Sequence, residues 1–547
     1  MGQSGMKPGR RRRKVWGHAL RLAATTGALL CCALFPQTQR STADLLAEAD
    51  HFKADGAYDR ALAAYSSALD SARAAQDRAA QASALHGLGD TYFQRGEYAP
   101  ARKLLDQAVA LREPLGDKSA LAATLNSIGR VIFAQGDMLA ALDYFTRSLT
   151  LRREAGDRAG VAASLNNLGN IYKGTGDYLR ALDYLDESER EFAAIGNHRS
   201  RATVLNNQAL CYGYLGDYER ALDLSGRSLE IFRGLEDKPN MAGCLDSQAN
   251  FETWRGNYRA ALAGFEQALK LRQEIDAKWG TAETLNNIGT LYQAQANHQQ
   301  AVSYFSRSLA LNQTLGDQSL EAEGHLNLGT EFLAMGKFAA ARRELDRSYT
   351  LCVATSRKPV MAEALTQLAR AFVLSGNPAQ ALADLERAIS IERDSGDRAG
   401  LSDTTVQLAA THLTLRHPQR ALSLAREAAQ TAASIDHPEA LWQAHTVAGK
   451  ALLRLSRHEE AAAEFDRAIE TIETLRRRVV GPATALPAYF ADKLEPYHQR
   501  MSLALESNRV AEALHYAEES KARALRRSPR RRPHGRLQVD EPRRARV

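Results

Sequence analysis

Three columns of polar residues recur at 40-residue intervals in this chain. The first reads Asn126, Asn166, Asn206, Asp246, Asn286. The second reads Ser127, Asn167, Asn207, Ser247, Asn287, Asn327. The third reads Arg130, Asn170, Asn250, Thr290, Thr330. Asparagine is a poor helix former, because its side chain competes for backbone hydrogen bonds. Its repeated use inside a helical pattern therefore asks for a reason. A ladder of amides offers donors and acceptors to an extended peptide backbone, whatever that peptide's sequence. The competing reason is architectural: one asparagine per repeat bonds a neighbouring helix and holds the stacking geometry. The two adjacent columns need not share a role. By helical spacing Arg130, Lys173 and Trp254 lie near the same wall, where they read a charge or an apolar group, or simply pack.

Other chemistry leaves no trace in the spacing. No pair among the 14 histidines, which include His412, His417, His437, His445 and His458, shows the zinc i, i+4 pattern with a glutamate between. Dispersed surface histidines account for them. There is no Gly-rich phosphate loop after a strand and no Gly-x-Ser-x-Gly elbow. Serines and cysteines have no evident base at a defined distance. The reading is of no catalytic residue, no metal and no cofactor. Cys211, Cys244 and Cys352 fall in helical repeat positions and suit small buried residues better than a disulfide framework.

The elements that carry these columns are helix pairs. From Leu165 to Asn197, Leu165, Leu168 and Tyr172 form one apolar face, and Tyr178, Ala181, Leu182 and Leu185 form a second. Gly176 with Asp177 makes a stop-and-cap signal between them, repeated at Gly196–Asn197. The turn glycine recurs at Gly56, Gly96, Gly136, Gly176, Gly216, Gly256, Gly336 and Gly376, with Ala296 holding the column. The pattern weakens at Arg416 and Ser456, which suit a left-handed turn less well. Asn377-Pro378 reads as a cap followed by proline at the first helical position, and His417-Pro418 is similar. About eleven copies in phase predict an all-α solenoid. Eleven pairs at about 10 Å per helix layer predict an arc on the order of 100 Å long.

Leu165, Leu168-Gly169, Tyr172, Ala181 and Leu185 resemble the tetratricopeptide pattern, and the 40-residue length with its Leu-Asn-Asn-Leu-Gly core resembles the long repeats of kinesin light chains. The resemblance implies a right-handed superhelix of helix pairs whose concave groove holds peptides or partner proteins. It also implies that the matching asparagines line that groove.

The formal charge of +7 is carried by the ends: eight Lys/Arg without an acid in residues 1–40, eleven with two acids in 521–547, which leaves −10 for the body between. An acidic body argues against nucleic acid and favours cationic or neutral peptides. Arg10 to Lys14 followed by an apolar run from Leu22 to Phe35 reads as a secretory signal, or alternatively as a retained membrane anchor. The exported or membrane-tethered body is then residues 41–482. Residues 483–525 read as a helical hairpin: a long helix from Leu486 to Leu505, a turn at Ser507-Asn508, and a helix from Val510 to Leu525. The stretches IETLRRRV, AYFADKLEPYHQRM and RVAEALHYAEESKARAL resemble the junction that leads into a caspase-like CHAT domain in bacterial proteins. Residues 526–547 read as a disordered basic tail. The leading expectation is a non-enzymatic protein-interaction scaffold binding a peptide or partner protein in the groove. The rival is the sensor or regulatory half of a CHAT protease system whose catalytic domain is truncated or on another chain.

Overall fold

The computed structural model describes residues 40–478 and 493–524. The expected leader, residues 479–492 and the basic tail lie outside the described residues. Within them run 24 α-helices, from Thr42–Ala54 to Val510–Ala524. They come in pairs. Pair 3 is Lys118–Ala134 with Met138–Ala155, and pair 4 is Arg158–Gly174 with Tyr178–Ala194. Pair 9 is Lys358–Leu374 with Pro378–Ser395, and pair 11 is Pro438–Arg454 with His458–Arg478.

The helices stop where the backbone turns left-handed. In pair 4 the Gly176 N–H donates to the Lys173 carbonyl (3.2 Å) and the Asp177 N–H to the Tyr172 carbonyl (2.9 Å), which closes the helix end. Asp177 Oδ1 then accepts from the Arg180 N–H at 3.2 Å, which opens the next helix. The same turn also occurs between pairs, so the backbone period is half the sequence period. Left-handed residues stand every twenty positions from Gly56 to Ser456, and Gln76, Glu236, Asp276, Ala296, Ser356, Arg416, Asp436 and Ser456 adopt that conformation without being glycine. Arg416 (φ 63°) and Ser456 (φ 57°) therefore keep the turn that their side chains disfavour. The proline caps differ from expectation. Pro378 and Pro418 do open their helices, but neither Asn377 nor His417 caps with its side chain. The Asn377 amide instead donates backward to the Ser375 carbonyl.

Packing within a pair explains the Leu-Gly and Ala positions. Leu165, Ala181 and Leu185 are fully buried and Leu168 nearly so. A Cβ on Gly169 would sit 2.6 Å from Leu185 Cγ, so the first helix needs glycine where the second helix leans on it. Cys211, Cys244 and Cys352 are free and buried, as expected. Burial pushes their thiols up to about 12, 11 and 11, so they stay protonated.

First helices of neighbouring pairs touch one another along most of the chain, while second helices meet mainly the first helices on either side. The first helices therefore line the inside of the curve. That curve closes on itself, which an open arc would not. The Lys358 N–H donates to the Gln135 carbonyl at 3.1 Å. Lys358 Nζ pairs with Asp137 Oδ2 at 2.7 Å across 221 residues, about five and a half repeats. A Cβ on Gly136 would lie 2.1 Å from Pro359 Cδ, and Gly396 abuts Leu139. Leu475 joins the apolar cluster of Tyr218 and Phe251. Successive superhelical turns are thus in contact.

The expected long helix is interrupted: Lys493 and Leu494 are non-helical and a helix spans Glu495–Glu506, while residues 486–492 of that expectation lie outside the described residues. Asn508 makes the expected turn at φ 56°, and the second helix spans Val510–Ala524. The hairpin stacks on His458–Arg478 as a twelfth pair. Arg500 reaches Asp466 at 2.7 Å and Glu512 at 2.6 Å, and Tyr497 donates to Glu473 at 2.7 Å.

Candidate functional site

The inner wall is built from the first helices, and the polar columns lie on it. Columns one and two bond each other. Asn167 Nδ2 donates to Asn126 Oδ1 (2.8 Å), Asn207 to Asn166 (2.9 Å) and Asn327 to Asn286 (2.7 Å). Asn206 continues the series by donating to Ser247 Oγ at 3.1 Å and accepting from Ser225 at 3.1 Å. Each bond joins one repeat to the next, so the architectural reading of these amides has direct geometry behind it. Asn126, Asn166, Asn206 and Asn286 are half-buried and keep further donor and acceptor capacity.

The ladder breaks at one rung. Asp246, where an asparagine would stand, is buried and engages Arg272 (2.7 Å) and Thr284 (3.1 Å) instead. Burial pushes its carboxyl up to about 7 against the pull of Arg272. The rung partner Asn287 is left without a hydrogen bond to the described chain, as are Asn170 and Asn250 of the third column; all three are half-buried. Lys173, three residues after Asn170 on the same helix, has its Nζ 3.3 Å from Asn207 Oδ1. Burial pushes this ammonium's pKa down. Arg130 is turned aside, stacked 4.5 Å over the Phe93 ring. Thr290 and Thr330 bond their own helix carbonyls at 3.3 and 3.0 Å. Trp254 sits between Tyr214 and Phe251.

A fourth column passed unnoticed in the sequence. Glu283, Glu323, Glu363 and Asp403 stand at 40-residue intervals on four successive first helices. The signal was there to find, but acids on a helix surface are so common that the period alone marks them. Burial, with Glu363, Asp397 and Glu439 nearby, pushes Asp403 up to about 7. Glu323 is raised by burial against its partner Arg357. The inner wall thus gains carboxylates along its length, first beside Asn286, Asn287 and Asn327 and then at Glu363 and Asp403. Behind it Glu392, 3% exposed, accepts from Thr404 at 2.7 Å and leaves its Oε2 without a partner. Burial pushes it up to about 8. Two histidines expected on the surface are packed instead. His445 Nδ1 lies 2.7 Å from Glu464, and His437 is half-buried between superhelical turns, with burial lowering its pKa.

Two family models, each described as tetratricopeptide repeat, match the chain. One matches residues 41–113, 120–190, 241–314 and 280–352, the other 326–398 and 406–474. The chain belongs to the tetratricopeptide repeat family. Neither model reaches the hairpin at 495–524, and the resemblance to a CHAT junction finds no counterpart in these matches. No curated protein matches the sequence. Among solved structures, this tetratricopeptide chain is similar to BtubC (BKLC) from P. vanneervenii, at 23% identity and TM-score 0.36 over 40% of this chain and 92% of that one. It is similar to a Rap protein complexed with competence and sporulation factor, at 13% identity and TM-score 0.45 over 73% and 99%. It is also similar to the apo form of RapI, at 19% and 0.40 over 49% and 96%.

Proposed function

We propose that this tetratricopeptide protein is a non-enzymatic scaffold that binds an extended peptide, or such a segment of a partner protein, along its inner wall. The observation that carries the reading is the set of unpartnered amides, Asn170, Asn250 and Asn287, placed on the wall beside the paired ladder. A half-buried amide without a partner is a hydrogen-bonding site awaiting one. The paired amides hold the repeats in register, and the free ones take the ligand's backbone. The acidic column downstream favours a basic segment at that end of the ligand. Export or tethering through the N-terminal segment belongs to the same proposal: on export the mature chain begins after roughly residue 35–40, and on tethering the segment is retained. N-terminal sequencing of the protein from its native host tests that part, and an intact Met1 in a soluble cytoplasmic fraction overturns it. Affinity capture with mass spectrometry identifies the partner. Replacing Asn170, Asn250 and Asn287 together with Ala then weakens that partner's binding by one to three orders of magnitude, at about 0.5–1.5 kcal/mol per lost bond. Unchanged affinity in the folded triple variant overturns the groove reading.

A further inference from the structure

Near the end of the second helix of each pair, one buried position recurs every 40 residues. It is polar at Arg112, Arg152, Arg272, Asn312 and Glu392, and apolar elsewhere, as at Phe192 and Phe232, or cysteine at Cys352. At the three arginines the chain fills the space between two pairs with its own guanidinium. Each Nη1 donates to a carbonyl eight residues on, that of Ala120, Gly160 or Gly280, and to a hydroxyl twelve residues on, that of Thr124, Ser164 or Thr284. Arg272 Nη2 adds Asp246 at 2.7 Å and Glu283 at 2.9 Å.

At Asn312 the side chain is too short to fill that space, and the residue twelve positions on is Gly324 instead of a hydroxyl. A cavity of about 290 Å³ lies there, lined among others by Trp279, Asn286, Leu320, Glu323 and Arg357. It stands between pair 7, Lys278–Ala294 with His298–Leu315, and pair 8, Gln318–Ala334 with Phe338–Thr355. Asn312 is 5% exposed; its Nδ2 donates to the Leu320 carbonyl at 3.4 Å, and its Oδ1 is buried without a partner. A buried amide oxygen ordinarily has a donor. The charges that hold Arg272 are not repeated. Asn286 stands where Asp246 does one repeat earlier. Glu323, the counterpart of Glu283, is already paired with Arg357, and Glu283 itself with Arg272. Asp317, the next acid near Glu323, caps its own helix by accepting from the Ser319 and Leu320 N–H groups at 3.0 and 3.1 Å. A further cation therefore finds each of these carboxylates engaged. What is left over is neutral hydrogen bonding: the Asn312 oxygen, and the Asn286 Nδ2, which makes no hydrogen bond among the described residues while its oxygen accepts from Asn327. One acceptor and one donor beside the same space match a carboxamide, which carries both N–H groups and a carbonyl.

We propose that this pocket takes a carboxamide side chain, of glutamine or asparagine, from the peptide bound along the inner wall. The carboxamide N–H donates to Asn312 Oδ1, and its carbonyl accepts from Asn286 Nδ2. The inference rests on the peptide reading of the wall but uses none of Asn170, Asn250 and Asn287. The test is a ligand-observed NMR titration of the full chain with N-acetyl-glutamine amide, against the N-acetyl amides of methionine, glutamate and arginine. Methionine has nearly the same shape without an N–H, and the capping groups are common to all four. The glutamine amide binds about three- to tenfold tighter than the methionine amide, and tighter than the glutamate and arginine amides. Asn312→Leu removes the acceptor at similar volume, and the glutamine and methionine amides then bind alike. Equal binding of those two amides to the unaltered chain overturns the proposal in favour of an apolar pocket. Tightest binding of the arginine amide overturns it in favour of a guanidinium site like that of Arg272. A glutamine preference that survives Asn312→Leu overturns the location. No saturable binding of any probe up to about 50 mM leaves the space to water and overturns the site itself. Failure of the wall reading shows separately, as unchanged partner affinity in the Asn170, Asn250 and Asn287 triple variant, and overturns the bound peptide as the source of the carboxamide.

Discussion

At the scale of single residues, two turn positions and one buried acid are held in states that their side chains resist. Arg416 and Ser456 sit at φ 63° and 57°, where an L-residue is strained by about 1 kcal/mol and glycine is not. Arg416→Gly and Ser456→Gly are each expected to raise stability by about 0.5–1 kcal/mol in urea unfolding. A loss in both would mean their side chains carry contacts that outweigh the turn. Glu392 resists differently. Its carboxyl is pushed from an ordinary value near 4.5 to about 8, chiefly by burial. The folded state therefore keeps a proton that the unfolded chain releases, so this group's effect on stability is most favourable below about pH 4.5 and worsens up to about pH 8. Glu392→Gln removes that slope and stabilises the protein at pH 8 by on the order of 1–3 kcal/mol. Melting curves of both proteins at pH 5 and pH 8 check it: a gain no larger at pH 8 than at pH 5 contradicts the assigned ionisation. The amide columns divide along the same line. Asn166, Asn206 and Asn286 bond neighbouring repeats, so their triple replacement by Ala lowers the melting temperature. The Asn170, Asn250 and Asn287 triple leaves it nearly unchanged.

At the scale of elements, two helical glycines with opposite surroundings isolate what a helix pair needs. Gly169 faces Leu185, and a Cβ there would lie 2.6 Å from its Cγ. Gly243, inside Lys238–Trp254, has nothing within 4 Å. Gly243→Ala gains about 0.5–1 kcal/mol from helix propensity alone. Gly169→Ala gains the same propensity but overpacks the pair at about 1–3 kcal/mol, for a net loss. Equal effects at the two positions would mean that the close approach of the helices is not what selects glycine. The repeat unit was legible in the sequence down to this detail, because Leu165, Gly169, Ala181 and Leu185 are fixed by contacts inside one pair. The turns between pairs were less legible. Gln76, Glu236, Asp276, Ser356 and Asp436 take the left-handed form without glycine, since the helices on either side hold the turn in place.

At the scale of the whole molecule, the superhelix is a closed coil, and its seam can be tested with a matched control. Gly136 and Gly96 have similar left-handed angles, φ 83° and 76°. Gly96 has open space, whereas a Cβ on Gly136 would lie 2.1 Å from Pro359 across the seam. Both alanine variants carry the same turn strain, so any excess belongs to the contact between superhelical turns. Small-angle scattering is expected to show a larger radius of gyration for Gly136→Ala and none for Gly96→Ala. Identical profiles would mean that the seam does not hold the coil in solution.

The sequence by itself determined the helix pair, its 40-residue period and the family, because each rests on contacts among residues close in the chain. It also placed the amide columns on one wall, because helical spacing alone decides which residues share a face. The tertiary structure decided which of those amides bond one another. Whether Asn166 meets Asn207 depends on the offset between neighbouring first helices, which no single repeat records. It alone decided that the coil closes after about five and a half repeats, joining Asp137 to Lys358. A small rotation per repeat accumulates over hundreds of residues, and only its sum brings Tyr218 and Glu439 to the walls of one cavity.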